Sequence, residues 1–170
     1  MSEQDFSPPR DARYFEDYVP GLTARYGAIA VNRAEMMEFA RRYDPQSMHT
    51  DETAAAAGPF GDIIASGWHT IALVMPVFVE RYLSAVAGLV SPGVDEIRWL
   101  APVRPGDVLS VRISVLEAIR SHSKPDRGMV RSLVEVLNQN KVVVMSAEFM
   151  NLLRCREPEA AVAKGPLGFA

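Results

Sequence analysis

Residues 108–119 read VLSVRISVLEAI, and from Leu109 to Val115 apolar residues alternate with polar ones. A period of two is typical of a β-strand that buries one face and exposes the other. Asn138–Lys141 (NQNK), further along the chain, has the length and composition of a hairpin connection. Three further strands are predicted around these segments: Val94–Leu100, Met129–Leu137 and Val142–Leu153. This part of the chain is therefore predicted to be a set of long antiparallel strands.

The most apolar stretch precedes the strands and runs from Ile63 to Val90. It is long enough to suggest a membrane span, but His69, Pro76 and the run Glu80–Tyr82 interrupt it. A buried helix of a soluble protein, from about Ser66 to about Ala87, is the better interpretation. Long antiparallel strands with one buried helix predict an α+β protein in which the sheet wraps around a central helix, the hot-dog fold.

The N-terminal half is predicted to begin with a strand within Tyr14–Val31, and Asn32 then starts a short helix as its N-cap. Asp44-Pro45 ends this helix, because the residue before a proline disfavours the helical conformation. A second short helix is predicted at Thr50–Gly58. The domain limits follow: a flexible arm at 1–13, one domain at 14–156 and a flexible tail at 157–170.

Bulk properties exclude several classes of protein. The 170-residue chain fits one domain. Its net charge of −3, with no basic run, argues against nucleic-acid binding. The single cysteine, Cys155, excludes an internal disulfide and fits a reducing compartment. The N-terminus lacks the apolar region of a signal peptide. A cytoplasmic protein that binds neither membrane nor nucleic acid is expected.

Asp44 and His49 lie five positions apart, in the connection between two predicted helices. A carboxylate and an imidazole held on one loop can converge on a single water and perform acid–base chemistry. Burial would raise the pKa of Asp44, and pairing with His49 would oppose that rise. The alternative is purely structural: Asp44 caps the following turn and His49 is a core histidine. The spacing alone leaves both interpretations open.

Two blocks of sequence resemble the MaoC-like dehydratases, a family that includes the (R)-specific enoyl-CoA hydratases. In 39–51 (FARRYDPQSMHTD), Asp44, His49 and Asp51 match the family pattern Asp-x-Asn-Pro-x-His with an acid two places later. The pattern departs at Gln46 and Ser47, where the family often has Asn and Pro. The second block, 61–70 (GDIIASGWHT), resembles the segment that opens the family's central helix.

Gly67 of the second block falls at the family's oxyanion-donor glycine. A glycine at a helix N-terminus offers a free N–H to a thioester carbonyl, without a side chain to block its approach. The structural alternative is that Ser66 caps the helix and Gly67 permits tight packing. His69 is interpreted as a residue that packs in the core or supports the site without taking part in catalysis, and Trp68, Trp99 and Phe78 are residues that could narrow a substrate tunnel.

The resemblance implies a hydro-lyase that adds water reversibly to a trans-2-enoyl thioester and forms the (R)-3-hydroxyacyl thioester. Asp44, His49 and Gly67 would be catalytic, and no cofactor is expected beyond the CoA or acyl carrier of the substrate. A homodimer or higher homo-oligomer is also expected. Substrate binding is assigned to Ser66 and to four basic residues in or beside turns: Arg98, Arg104, Lys124 and Arg127.

No metal site is expected, because the three histidines and the cysteine lack metal-ligand spacing. Two other functions remain open from the sequence. One is a hot-dog thioesterase, in which water attacks the thioester carbonyl. The other is a non-catalytic subunit that binds acyl thioesters.

Overall fold

The computed structural model describes residues 6–157. After a 3₁₀ turn at Phe15–Asp17, five strands and four helices follow. The strands are β1 (Thr23–Ala30), β2 (Gly88–Trp99), β3 (Val108–Arg120), β4 (Arg127–Leu137) and β5 (Val143–Arg154). The helices are α1 (Arg33–Tyr43), α2 (Ser47–Thr50), α3 (Glu52–Ala57) and α4 (Gly67–Val77), and α4 continues into a π-helical turn at Phe78–Tyr82.

The strands form one antiparallel sheet in the order β1-β3-β4-β5-β2. Its inner face is apolar: Ile113 and Val134 are fully buried partners, and they share one core with Val74 of α4 and Phe78 of the π turn. Ion pairs cross the sheet between side chains at alternate positions, as Arg112–Glu135 does. The predicted α+β hot-dog fold is confirmed, and the alternation in β3 marks the inner face correctly.

The central helix is shorter than predicted. Its prediction extended to about Ala87, but the helical hydrogen bonding ends with the π turn at Tyr82. Pro76 lies inside α4 and has no N–H to donate, which weakens the last helical turns. Beyond Leu83, Ser84 Oγ accepts the backbone N–H groups of Val86 and Ala87 and forms a turn. The chain then enters β2 at Gly88, six residues before the predicted strand.

The residues before the first strand also differ from expectation. Within the arm predicted at 1–13, Phe6 and Arg13 are buried. The Arg13 guanidinium donates hydrogen bonds to the backbone oxygens of Phe6 and Tyr82. These bonds connect the N-terminal residues to the end of the π turn. The packed domain therefore starts earlier than Tyr14. Of the predicted tail, all but Glu157 lies outside the described residues.

Within residues 6–157, no helix combines the length and the apolar character that crossing a membrane requires.

Candidate active site

Asp44 and His49 are brought together by the backbone of the loop after α1. The Asp44 N–H closes the last turn of α1 on Ala40 O, and Pro45 then turns the chain out of the helix. The His49 N–H donates to Gln46 O, so α2 folds back beside the end of α1. As a result, Asp44 Oδ2 and His49 Nε2 lie 3.6 Å apart.

The His49 ring is buried and has a fixed orientation. Its Nδ1 lies 2.8 Å from the carbonyl oxygen of Ile64. Because a carbonyl oxygen can only accept, Nδ1 carries the proton of this hydrogen bond. In the neutral imidazole, Nε2 therefore presents a lone pair on the side of Asp44. Two acceptors that face each other in this way need a proton or a water molecule between them.

Asp44 is held as a carboxylate by two side chains. Ser66 Oγ donates to Oδ2 at 2.6 Å, and Gln46 Nε2 donates to Oδ1 at 2.8 Å. The bond from Ser66, followed by that from Gln46, lowers the pKa of Asp44 below its ordinary value; His49 contributes a smaller lowering, and partial burial opposes the shift. The rise expected from burial is thus outweighed by hydrogen bonding to the charged form, and Asp44 is ionised at neutral pH.

Gly67 is the first residue of α4, at the N-terminus that also receives Asp44. Ser66 is the N-cap, and its Oγ accepts the N–H of Trp68 while donating to Asp44. The Gly67 N–H has no carbonyl within its own helix to bond, because it belongs to the first turn. Asp44, His49 and Gly67 line one cavity of about 400 Å³. Its apolar wall includes Phe60, Trp68, Trp99, Leu100, Val103 and Val144.

The predicted substrate-binding residues do not form one patch. Ser66 is buried and bonds Asp44, so it holds the carboxylate rather than facing open space. Arg104 lies beside the cavity and donates to Phe60 O. Arg98 is exposed and paired with Glu96.

Lys124 and Arg127 are far from this end of the molecule. Arg127 begins β4 and pairs with Asp126, whereas the loop of Arg104 adjoins the hairpin at the end of β4 through Gln139 and Asp107. Because β4 is 11 residues long, Arg127 lies about 30 Å from the hairpin that adjoins the loop of Arg104. The structure therefore does not bring the four predicted basic residues together, because sheet register places the two turns at opposite ends.

Several residues of the site were not found from the sequence. Gln46 was noted only as a departure from a motif, and the Ile64 carbonyl is a backbone group with no side-chain signal. Asp51, which matched the motif, caps α3 by accepting the N–H groups of Thr53 and Ala54. Phe78 lies in the core against Phe149, not at the cavity. In the described part of the chain, no three His, Cys, Asp or Glu side chains come together as metal ligands.

An antiparallel sheet around one helix, with an aspartate–histidine pair beside the N-terminus of that helix, defines a hot-dog protein. The chain belongs to the MaoC-like domain family, whose sequence pattern matches residues 19–138.

Two solved structures and one curated relative illustrate the family. The MaoC-like dehydratase from Rhodospirillum rubrum is 36% identical with a TM-score of 0.80, over 86% of this chain and 99% of that one. The (R)-hydratase PhaJ1 from Pseudomonas aeruginosa is 26% identical with a TM-score of 0.67, over 85% and 86%. The 3-hydroxybutyryl-CoA dehydratase from Methylorubrum extorquens is 34% identical, over 69% of this chain and 70% of that protein.

Proposed function

We propose that the protein hydrates a trans-2-enoyl thioester, as enoyl-CoA, reversibly to the (R)-3-hydroxyacyl thioester. The names of two relatives support this reaction type: a 3-hydroxybutyryl-CoA dehydratase and an (R)-hydratase. The stereochemistry is taken from the second of these. The acyl thioester is the only reactant besides water.

The observation that carries the proposal is the pairing of Asp44 Oδ2 with His49 Nε2 at 3.6 Å. At this separation one water in the cavity can contact both atoms and donate a hydrogen to each. The Ile64 carbonyl fixes the imidazole, and Ser66 and Gln46 fix the carboxylate, so neither group reorganises during the reaction.

The reaction then proceeds by conjugate addition. The water oxygen bonds to C3 of the enoyl group while the C2–C3 π electrons shift onto the thioester oxygen. The proton released by the water passes to His49 Nε2, and Asp44 stabilises the resulting imidazolium. Return of that proton to C2 restores the thioester carbonyl. The Gly67 N–H stabilises the charge that develops on the thioester oxygen, as a preorganised backbone donor.

The test is an assay with crotonyl-CoA that follows two signals. Loss of the enoyl absorbance without free thiol is the expected result, because hydration consumes the double bond and leaves the thioester intact. Thiol release at the same rate as any absorbance change would instead identify a thioesterase. Neither signal, with acyl-CoA still bound, would identify a non-catalytic binding subunit and refute the proposal.

A further inference from the structure

The indole of Trp99 lies against Gly67, the first residue of α4. A Cβ atom built on Gly67 would meet Trp99 Cε2 and Nε1 at 2.2 Å and Cδ1 at 2.7 Å. The short distances to all three atoms place this Cβ position over the face of the pyrrole ring, so the indole lies against Gly67 and its N–H points outward in the ring plane. The indole nitrogen lies within about 4 Å of Gly67 Cα, allowing one bond length for Cα–Cβ.

This position is beside the path of the Gly67 N–H. The Cα–Cβ bonds of a helix tilt towards its N-terminus, the direction in which the N–H groups of the first turn also point. An oxygen atom that accepts the Gly67 N–H thus lies beside the pyrrole ring of Trp99, whose N–H is in the ring plane. Glycine at position 67 is what permits this approach, since any side chain there would displace the indole.

Trp99 has a free donor to offer. An indole N–H can only donate, and that of Trp99 has no acceptor within residues 6–157; the ring contacts Trp68 edge-on with centroids 5.5 Å apart. About half of the Trp99 side chain is exposed, and the residue lines the same cavity as Asp44 and His49. A ligand oxygen can therefore reach the indole nitrogen from the cavity.

We propose that the indole N–H of Trp99 is a second donor to the thioester oxygen and completes, with the Gly67 N–H, a two-donor oxyanion site. The assignment rests on the proposed function, because it concerns the same thioester. It gives Trp99 a role in the reaction that its place on an edge strand does not suggest.

The proposal is tested by the carbonyl stretching frequency of bound butyryl-CoA, labelled with ¹³C at C1 and measured by infrared difference spectroscopy. The saturated thioester cannot be hydrated, so the measurement does not depend on turnover. Each hydrogen bond to the carbonyl oxygen weakens the C=O bond and lowers its frequency. The variants are Trp99→Phe and the replacement of Trp99 by 3-benzothienylalanine, which keeps the bicyclic shape and lacks the N–H.

Both variants are expected to raise the frequency relative to the wild type, whereas Gly93→Ala, on the same strand but outside the cavity lining, leaves it unchanged. With crotonyl-CoA, both Trp99 variants should lower kcat by roughly 10²–10³-fold with little change in KM, since removal of one oxyanion donor has effects of this order. An unchanged frequency in the benzothienylalanine variant overturns the proposal. A shifted frequency in a protein that does not hydrate crotonyl-CoA would contradict the proposed function alone.

Discussion

Ser66 Oγ connects the N-terminus of α4 to the Asp44–His49 pair: it donates to Asp44 Oδ2 at 2.6 Å and accepts the N–H of Trp68. One hydroxyl therefore caps α4 and orients the carboxylate. The position of Asp44 relative to Gly67 is set by this side chain, 22 residues away from Asp44 in sequence.

Replacement of Ser66 by alanine is expected to raise the pKa of Asp44, because it removes the largest of the contacts that favour the carboxylate. The ¹³C carboxyl titration of Asp44 by NMR should show a higher midpoint than in the wild type. A Ser66→Thr variant, which keeps the hydroxyl, serves as the control. An equal midpoint in Ser66→Ala would show that the bond to Asp44 is not formed in solution.

Ser66→Ala is also expected to be less stable than the wild type, by an amount that depends on pH. The folded-state pKa of Asp44 is lowered, so its contribution to stability is present above the unfolded pKa and is lost as the pH falls through the folded pKa. At pH 7, Ser66→Ala should lower the unfolding free energy by about 1 kcal/mol, because the helix cap is lost. It should also remove the stability that the lowered pKa of Asp44 provides. Urea unfolding should show a smaller deficit in strong acid, where only the cap is lost; a deficit that grows in acid would contradict the assignment.

Gly67→Ala is expected to impair hydration, because its Cβ would collide with the Trp99 indole at 2.2 Å. The indole must move or the strand must shift, at a cost in stability of roughly 1–3 kcal/mol. The matched control is Gly93→Ala on the same strand as Trp99, where a Cβ meets only Met150 Cε at 3.6 Å. The melting temperature and kcat should fall in Gly67→Ala and stay near the wild-type values in Gly93→Ala. Equal effects in the two would refute the close packing.

Arg104 donates a hydrogen bond to the backbone of Phe60, which lines the cavity, and we therefore expect it to contact the phosphate groups of CoA. Arg104→Gln should raise KM for crotonyl-CoA several-fold with little change in kcat, and the defect should shrink as salt is added. Lys124→Gln, at the opposite end of the sheet, is the control and should leave KM unchanged. An equal rise in both would indicate a general effect of net charge.

A homodimer is expected to form through β2. This strand is an edge of the sheet and exposes Val90 and Val94, whereas the apolar strand β5 lies between β4 and β2. Light scattering at micromolar concentration should give twice the 18.7 kDa monomer mass. Val90→Asp should shift the population towards monomer, and Val142→Asp, which is exposed in the β4–β5 hairpin, should not. A wild-type protein that is entirely monomeric would contradict this expectation.

The sequence predicted well where the signal is local. Alternation in β3 reports which face is buried, and the Asp44–His49 spacing lies within one loop that Pro45 constrains. The boundary between α4 and β2 could not be predicted for two reasons. Most residues of β2 are exposed, so its sequence lacks a clean alternation of apolar and polar residues. In addition, Pro76 and the π turn end the helix early.

Contacts between distant residues were beyond prediction for a different reason. The approach of Trp99 to Gly67 and the bond from His49 to the Ile64 carbonyl depend on tertiary packing and on a backbone atom. Likewise, the separation of the two turns that carry the predicted basic residues depends on the register of β4, which no local pattern in the sequence reports.

The most direct test of the central claim, that Asp44 and His49 act on one water, is a double-mutant cycle on crotonyl-CoA hydration. Asp44→Asn and His49→Ala are each expected to lower kcat by roughly 10²–10⁴-fold, the usual contribution of a placed proton-transfer group. The double variant should lose little more than either single one, because groups that act as a unit are non-additive. Single variants that keep wild-type turnover, or effects that multiply in the double variant, would contradict the shared-water mechanism.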